Sequence, residues 1–295
     1  MQTVAVLSLK GGVGKTTVVL GLASAALRRG ARTLVVDLDP QCNATSSLDP
    51  PDTSTTLADV LESPRPAVVR EAIAPSSWGP EVDVLVGSEE VEALNDPDPD
   101  NRRLGKLGRA LAELARLAET ELPYQLVLLD CPPSLGRLTR SALFAANGAL
   151  VVTEPTLYAV SGAQRAMEAV EQTRREHNPE LSPLGVVVNR VRARSYEHQF
   201  RIAELREHFG SLIMPVALPD RLAVQQAQGA CKPIHDWGTP GSREVALAFN
   251  LVLARTLRTA STARGRHQAL TDDDIEDDGD NTGEDGGELD EAVNG

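Results

Sequence analysis

Short, almost wholly apolar runs recur along the chain, each followed by a stretch in which apolar residues return every three or four positions. The runs are Val4-Ala5-Val6-Leu7, Thr33-Leu34-Val35-Val36-Asp37, Val82-Asp83-Val84-Leu85-Val86, Gln125-Leu126-Val127-Leu128-Leu129-Asp130, Leu150-Val151-Val152-Thr153 and Leu184-Gly185-Val186-Val187-Val188-Asn189. They are short, β-branched and nearly free of polar alternation, the signature of strands covered on both faces. The spacing predicts helices over residues 16–29, 57–61, 104–119, 161–176, 197–209 and 243–257. Leu104, Leu107, Leu111, Leu114 and Leu117 fall on one face of the third of these and read as core. Ser161 is a cap candidate for the fourth. Residues 44–80, rich in Ser, Thr and Pro, predict only a variable connection, and residues 95–101 a loop. Strand, connection and helix in repetition make this an α/β chain, with a mostly parallel twisted sheet flanked by helices on both faces.

Composition changes that picture in three places. Aromatic residues are only 3% of the chain, so the core must be built from Leu, Val and Ala. Cys42, Cys131 and Cys231 are odd in number and far apart, which fits neither a disulfide framework nor a C-x-x-C metal site and suggests a reducing, cytoplasmic setting. No apolar run approaches membrane-spanning length, and a first strand starting at Thr3 leaves no room for a signal segment. The net charge of −13 is uneven: residues 272–295 hold twelve acidic residues and no Lys or Arg, which leaves −1 for residues 1–271. A local basic face therefore remains possible, and the acidic end cannot bury enough apolar surface to fold alone. The expected division is a folded domain over 1–265 and a disordered acidic tail over 266–295.

The first strand runs straight into Ser8-Leu9-Lys10-Gly11-Gly12-Val13-Gly14-Lys15-Thr16-Thr17 and a helix. Strand, glycine-rich turn and helix let backbone N–H groups and the positive end of a helix cradle a polyphosphate. In that frame Lys15 reaches the β/γ-phosphates and the Thr16 hydroxyl is placed to ligate Mg²⁺. The usual phosphate-loop pattern would have glycine at position 9, where this chain has leucine, and it carries a second lysine, Lys10. The chain has 4 lysines against 25 arginines, yet two of the four lie five residues apart in this loop. That points to a role for a compact ammonium at position 10.

Two strands end in acids. Asp37-Leu38-Asp39-Pro40-Gln41-Cys42-Asn43 delivers carboxylates to the C-terminal edge of a sheet, where ligands bind in open α/β folds. Four apolar residues before Asp130 make a strand that places this acid to hold a water of a Mg²⁺ shell. Cys131, just after it, reads as a small buried residue; no histidine has a sequence relationship that would support a catalytic thiol.

The loop Lys10-Gly11-Gly12-Val13-Gly14-Lys15-Thr16-Thr17 resembles the deviant Walker A motif of the ParA/MinD family of P-loop ATPases, and the Soj-like ParA branch is similar as far as about residue 257. The segments Asp37-Leu38-Asp39-Pro40-Gln41-Cys42-Asn43 and Asp130-Cys131-Pro132-Pro133-Ser134-Leu135-Gly136 resemble that family's as well. The resemblance implies an ATP- and Mg²⁺-dependent partition ATPase with a P-loop NTPase fold. ATP would be held by Lys10, Gly11, Gly12, Val13, Gly14, Lys15, Thr16 and Thr17 and sandwiched in a homodimer, with Lys10 serving the partner protomer. Asp39 would orient the attacking water, and Asp37 would join Thr16 and Asp130 around the metal. Asn189 resembles the base-contacting asparagine of MinD-like relatives, with Pro219 and Asp220 as the other wall of the adenine pocket. The resemblance also implies DNA binding without sequence preference, a ParB-like partner, no membrane contact and a nucleoid-associated location. Arg190, Arg192 and Arg194 alternate and would point one way if extended; a solvated loop offset by Glu197, Glu204 and Glu207 stays open beside the DNA reading. Arg221 matches the arginine of the family's N-V-R-L segment.

The run Val152-Thr153-Glu154-Pro155-Thr156 departs from the P-x-Q-x-E common in the family. The alternatives are a MinD-like ATPase on membrane, which the acidic end opposes, a metabolic ligase or reductase component on the same fold, and a nucleotide-gated adaptor for another cargo.

Overall fold

The computed structural model of the chain describes residues 1–96, 103–117 and 124–276. In chain order its elements are β1 (Gln2–Leu7), α1 (Lys15–Leu27), β2 (Thr33–Asp37), α2 (Asn43–Leu48), α3 (Leu57–Glu62), α4 (Pro66–Glu71), β3 (Ile73–Pro75), β4 (Val82–Leu85), α5 (Gly105–Leu117), β5 (Leu126–Asp130), α6 (Arg137–Ala145), β6 (Gly148–Thr153), α7 (Ala159–Glu176), β7 (Ser182–Val188), α8 (Tyr196–Phe209), α9 (Leu222–Gly229) and α10 (Pro240–Glu276). The seven strands form one sheet in the order β3-β4-β2-β5-β1-β6-β7. All pairings are parallel except β3 with β4, which is antiparallel.

The unbroken apolar runs are explained by where alternate residues go. Val4, Val6, Val35, Val82, Val84, Leu126, Leu128, Leu150 and Val152 join α1, α2, α9 and α10 in one core. Ala5, Leu7, Leu34, Val36, Leu85, Val127, Leu129, Ala149 and Val151 join α3 to α7 in another. Both faces of each central strand are buried, so no polar face appears in the sequence. Leu107, Leu111 and Leu114 lie in the second core, as their spacing predicts, and Leu104 is buried as well.

Four local expectations need correction or limits. The connection over residues 44–80 holds three short helices and the edge strand β3, whose Pro75 is tolerated because an edge strand has an unpaired side. Ser161 does not cap α7; the helix begins at Ala159, and the Ser161 hydroxyl donates to the Tyr158 carbonyl at 3.3 Å. α10 continues to Glu276, past the expected end at residue 257 and into the expected acidic tail. Residues 97–101 of the expected loop, 118–119 of the third helix and 277–295 of the tail lie outside the described residues. Among the described residues no helix is long and apolar enough to cross a membrane.

Candidate nucleotide site

The order β2-β5-β1 sets the site. β5 lies between the other two strands, so Asp130 pairs across the ladder with both Val6 of β1 and Asp37 of β2. The loop that leaves β1 therefore opens directly beside two strand-end acids that are 93 residues apart in the chain.

Within that loop Gly12 (φ 78°) and Gly14 (φ 89°) occupy the left-handed region, which only glycine adopts without steric cost. Gly14 caps α1 and, as glycine, offers no side chain to the helix's first N–H groups. A methyl group on Gly14 would collide with the Asn189 amide. Lys15 is only 6% exposed at the start of α1, whereas Gly11 and Gly12 are exposed at the mouth. The result is a concave turn of amides with one buried ammonium at its base, the arrangement that accepts a polyphosphate. Thr16 is half-buried beside it, and the Thr17 hydroxyl accepts from Gln228 of α9 at 3.4 Å.

The acids are held unequally. Asp37 and Asp130 are fully buried. One Asp37 oxygen, Oδ2, accepts from both the backbone N–H and the hydroxyl of Thr45, each at 2.8 Å. The Thr45 hydroxyl in turn accepts from the Gly87 N–H at 3.0 Å. Among the described residues, Oδ1 of Asp37 and both carboxylate oxygens of Asp130 have no hydrogen-bond partner. Burial pushes the Asp37 carboxyl up to about 6, against the pull of the Thr45 bonds. Burial, then the neighbouring charge of Asp37, pushes Asp130 well above the usual carboxylate range, with the nearby Thr16 hydroxyl and Lys15 ammonium opposing. Asp39 is nearly buried and uses Oδ1 to accept from the Gln41 N–H at 3.1 Å.

Three buried carboxylate oxygens without partners are costly unless a cation meets them. Among the described residues no three acidic, His or Cys side chains converge as a full metal-ligand set. A cation here would thus take its remaining ligands from water and phosphate, the habit of Mg²⁺, and the residues fit that ion. Cys131 is buried and burial raises its thiol, so it carries no thiolate chemistry.

On the far side of the loop, Asn189 is buried and donates from Nδ2 to the Val13 carbonyl at 2.8 Å. In this structure it braces the phosphate loop. Pro219 makes an isolated parallel bridge with Val191, and Asp220 accepts from Arg192 Nε at 2.8 Å.

The basic segment is not extended. Arg190 sits in the left-handed region (φ 54°) and a turn follows. Its three arginines consequently part ways: Arg190 donates to the Gly12 carbonyl at 2.6 Å and to Glu154 at 2.8 Å, while Arg192 pairs with Asp220. Arg194 is exposed, and Arg221 forms a two-pronged pair with Glu244 of α10. The expectation of one aligned row is corrected for Arg190. Sequence reasoning missed Thr45 and Glu154. Thr45 follows the acidic turn by a single helical step, and Glu154 lies in the segment that departs from the family pattern.

Residues 1–183 match a family described as an AAA domain. The chain is 34% identical to the chromosome-partitioning ATPase Soj of Thermus thermophilus, over 86% of this chain and 96% of that one. It is 31% identical to the chromosome partitioning protein ParA of Caulobacter vibrioides, over 86% of this chain and 95% of that one. Among solved structures it is similar to cobyrinic acid a,c-diamide synthase from Mycobacterium smegmatis with bound ATP analogue and magnesium. That likeness has a TM-score of 0.68 and 25% identity, covering 88% of this chain and 95% of the other.

Proposed function

The chain belongs to the ParA/MinD family of P-loop ATPases, and from that premise we propose that it is a partition ATPase that binds Mg-ATP, dimerises face to face across it and in that state associates with DNA. The observation that carries the reading is the rim of the phosphate loop. Lys10 is half-exposed there, and its ammonium donates to the Thr156 hydroxyl at 3.5 Å. Next to Thr156, Leu157 and Tyr158 are 61% and 69% exposed, and Leu135, from the turn after β5, is 37% exposed. An apolar collar around a charged cleft suits a second protomer closing over it.

Bound magnesium would neutralise charge on the β- and γ-phosphates. Thr16, Asp130 and Asp37 are the residues that would hold it, directly or through water. Lys15 stabilises the charge that builds on the phosphates as the bond breaks. Asp39, with one oxygen fixed by Gln41 and the other free to accept, holds the attacking water. Lys10 completes the neighbouring protomer's site. The dimer's DNA contacts would be phosphate contacts from arginines such as the exposed Arg192 and Arg194 and the half-buried Arg221, strongly salt-dependent and indifferent to sequence. A ParB-like partner would stimulate hydrolysis, and the nucleoid would be the dimer's location.

Light scattering with ATP and magnesium tests this. Lys10→Ala is expected to remain monomeric while still binding ADP, and a variant that dimerises normally removes Lys10 from the interface. Asp39→Ala is expected to form a dimer that stays on DNA; ordinary turnover by it would falsify the water-positioning role. DNA retardation against liposome flotation, each with ATP, separates this reading from a MinD-like membrane ATPase, since flotation without retardation favours the latter.

A further inference from the structure

Arg190 lies 178 residues from Gly12 in the chain, yet its guanidinium is bonded to the phosphate loop itself. Two consecutive residues at the end of β7 divide the work: Asn189 takes the Val13 carbonyl and Arg190 the Gly12 carbonyl. Tying two successive carbonyls leaves the loop's N–H groups to face an anion. Arg190 adopts φ 54° to do so, a backbone state that a side-chain-bearing residue keeps only when its surroundings enforce it.

One acid governs this arginine. Glu154, between β6 and α7, is 18% exposed and takes Arg190 through Oε1 at 2.8 Å, while its Oε2 lies 4.0 Å from the Lys10 ammonium. Arg190 donates to both partners through Nη1; its Nε and Nη2 donors have no partner among the described residues. Arg192 and Arg221, by contrast, pair with Asp220 and Glu244 away from the loop. A planar cation with spare donors, already touching the phosphate loop, is matched to bidentate recognition of a phosphate.

We propose that Arg190 is a phosphate-binding residue of the nucleotide site rather than a DNA contact, and that Glu154 is its counter-ion until a polyphosphate takes over that role. This rests on the reading of the loop as a nucleotide site. Glu154 then opposes nucleotide binding twice, by holding Arg190 and by placing a negative charge beside the phosphates. The identity of residue 154 as a carboxylate, rather than an amide, sets how tightly the resting protomer takes nucleotide.

The test is equilibrium binding of fluorescent ADP and ATP, with magnesium, to the full chain and its R190M, R190K, E154Q and R190M/E154Q variants, with thermal melts to establish folding. R190M is expected to weaken ATP about tenfold or more, and R190K to lie between it and the parent, because it restores charge without the fork. E154Q is expected to tighten ATP about fivefold at low salt, a gain that raised salt reduces and that the double variant lacks. Unchanged nucleotide affinity in R190M, or weaker binding in E154Q, overturns the proposal, as does a gain that persists in the double variant. Loss of DNA retardation in R190M with nucleotide binding intact returns Arg190 to the DNA face. Failure of the parent chain to bind either nucleotide would overturn the nucleotide-site reading itself, an outcome distinct from all of these.

Discussion

The two ends of the sheet treat a buried aspartate in opposite ways. Near the N-terminal ends of the strands, Asp83 of β4 accepts from the Tyr124 hydroxyl at 2.6 Å and from Arg32 Nη2 at 3.2 Å, and the Arg32 guanidinium lies 5.1 Å from the centre of the Tyr124 ring. At the C-terminal ends, among the described residues, Asp130 has no hydrogen-bond partner and Asp37 has partners on one oxygen alone. The first aspartate is neutralised by its own chain. The second pair is left for something the chain does not itself supply. Stability and function are thus separated along a single sheet, and the unsatisfied end is where a fold of this kind binds its ligand.

Breaking each end should give a different loss. The largest effect is expected at the C-terminal end: on the proposed reading, in which Asp130 holds the metal shell, Asp130→Asn should lower magnesium-dependent ATP turnover by about 100-fold or more. A steady-state phosphate-release assay measures it. Asp83→Ala should do the reverse, costing about 2–3 kcal/mol of stability by stranding Arg32 and Tyr124, while turnover per folded molecule stays unchanged; urea melts beside the same assay read both. The comparison sharpens with pH. Asp37 titrates at about 6 in the folded chain, above its unfolded value, so the native state holds an extra proton between about pH 4 and 6. Its contribution to stability is accordingly present below that window and lost as pH rises through it, on the order of 2 kcal/mol. Melts of the nucleotide-free protein should show Asp37→Asn losing less stability than the parent between pH 5 and 7, and Mg-ATP should abolish the difference. The smallest effect belongs to Tyr124→Phe, which should cost about 1 kcal/mol through one hydrogen bond to a charged acceptor, with turnover unaffected.

A second contrast lies between Arg190 and Arg192. They are two residues apart and alike in sequence, yet one braces the phosphate loop and the other pairs with Asp220. The alternation that suggested a common face assumed an extended backbone, and the left-handed φ at Arg190 removes that assumption. Asn189 shows the same limit. Its position at the end of β7 was legible, whereas its bond to the Val13 carbonyl across 176 residues of chain was not.

By itself the sequence determined the local chemistry. Glycines at positions 12 and 14, the lysines around them and the acids that end two strands follow from neighbouring residues, because turn geometry and strand burial depend on spacing of a few positions. The phosphate loop and the identities of Asp37, Asp39 and Asp130 were readable for that reason. Tertiary structure alone decided that β5 lies between β2 and β1, which brings Asp37 and Asp130 together, and that β7 reaches back to hold the loop. The same is true of Glu154 as the acid shared by Lys10 and Arg190. Contacts between residues tens to hundreds of positions apart carry no local period. They exist only once the strand order is set, and only there can a buried carboxylate be seen to lack a partner.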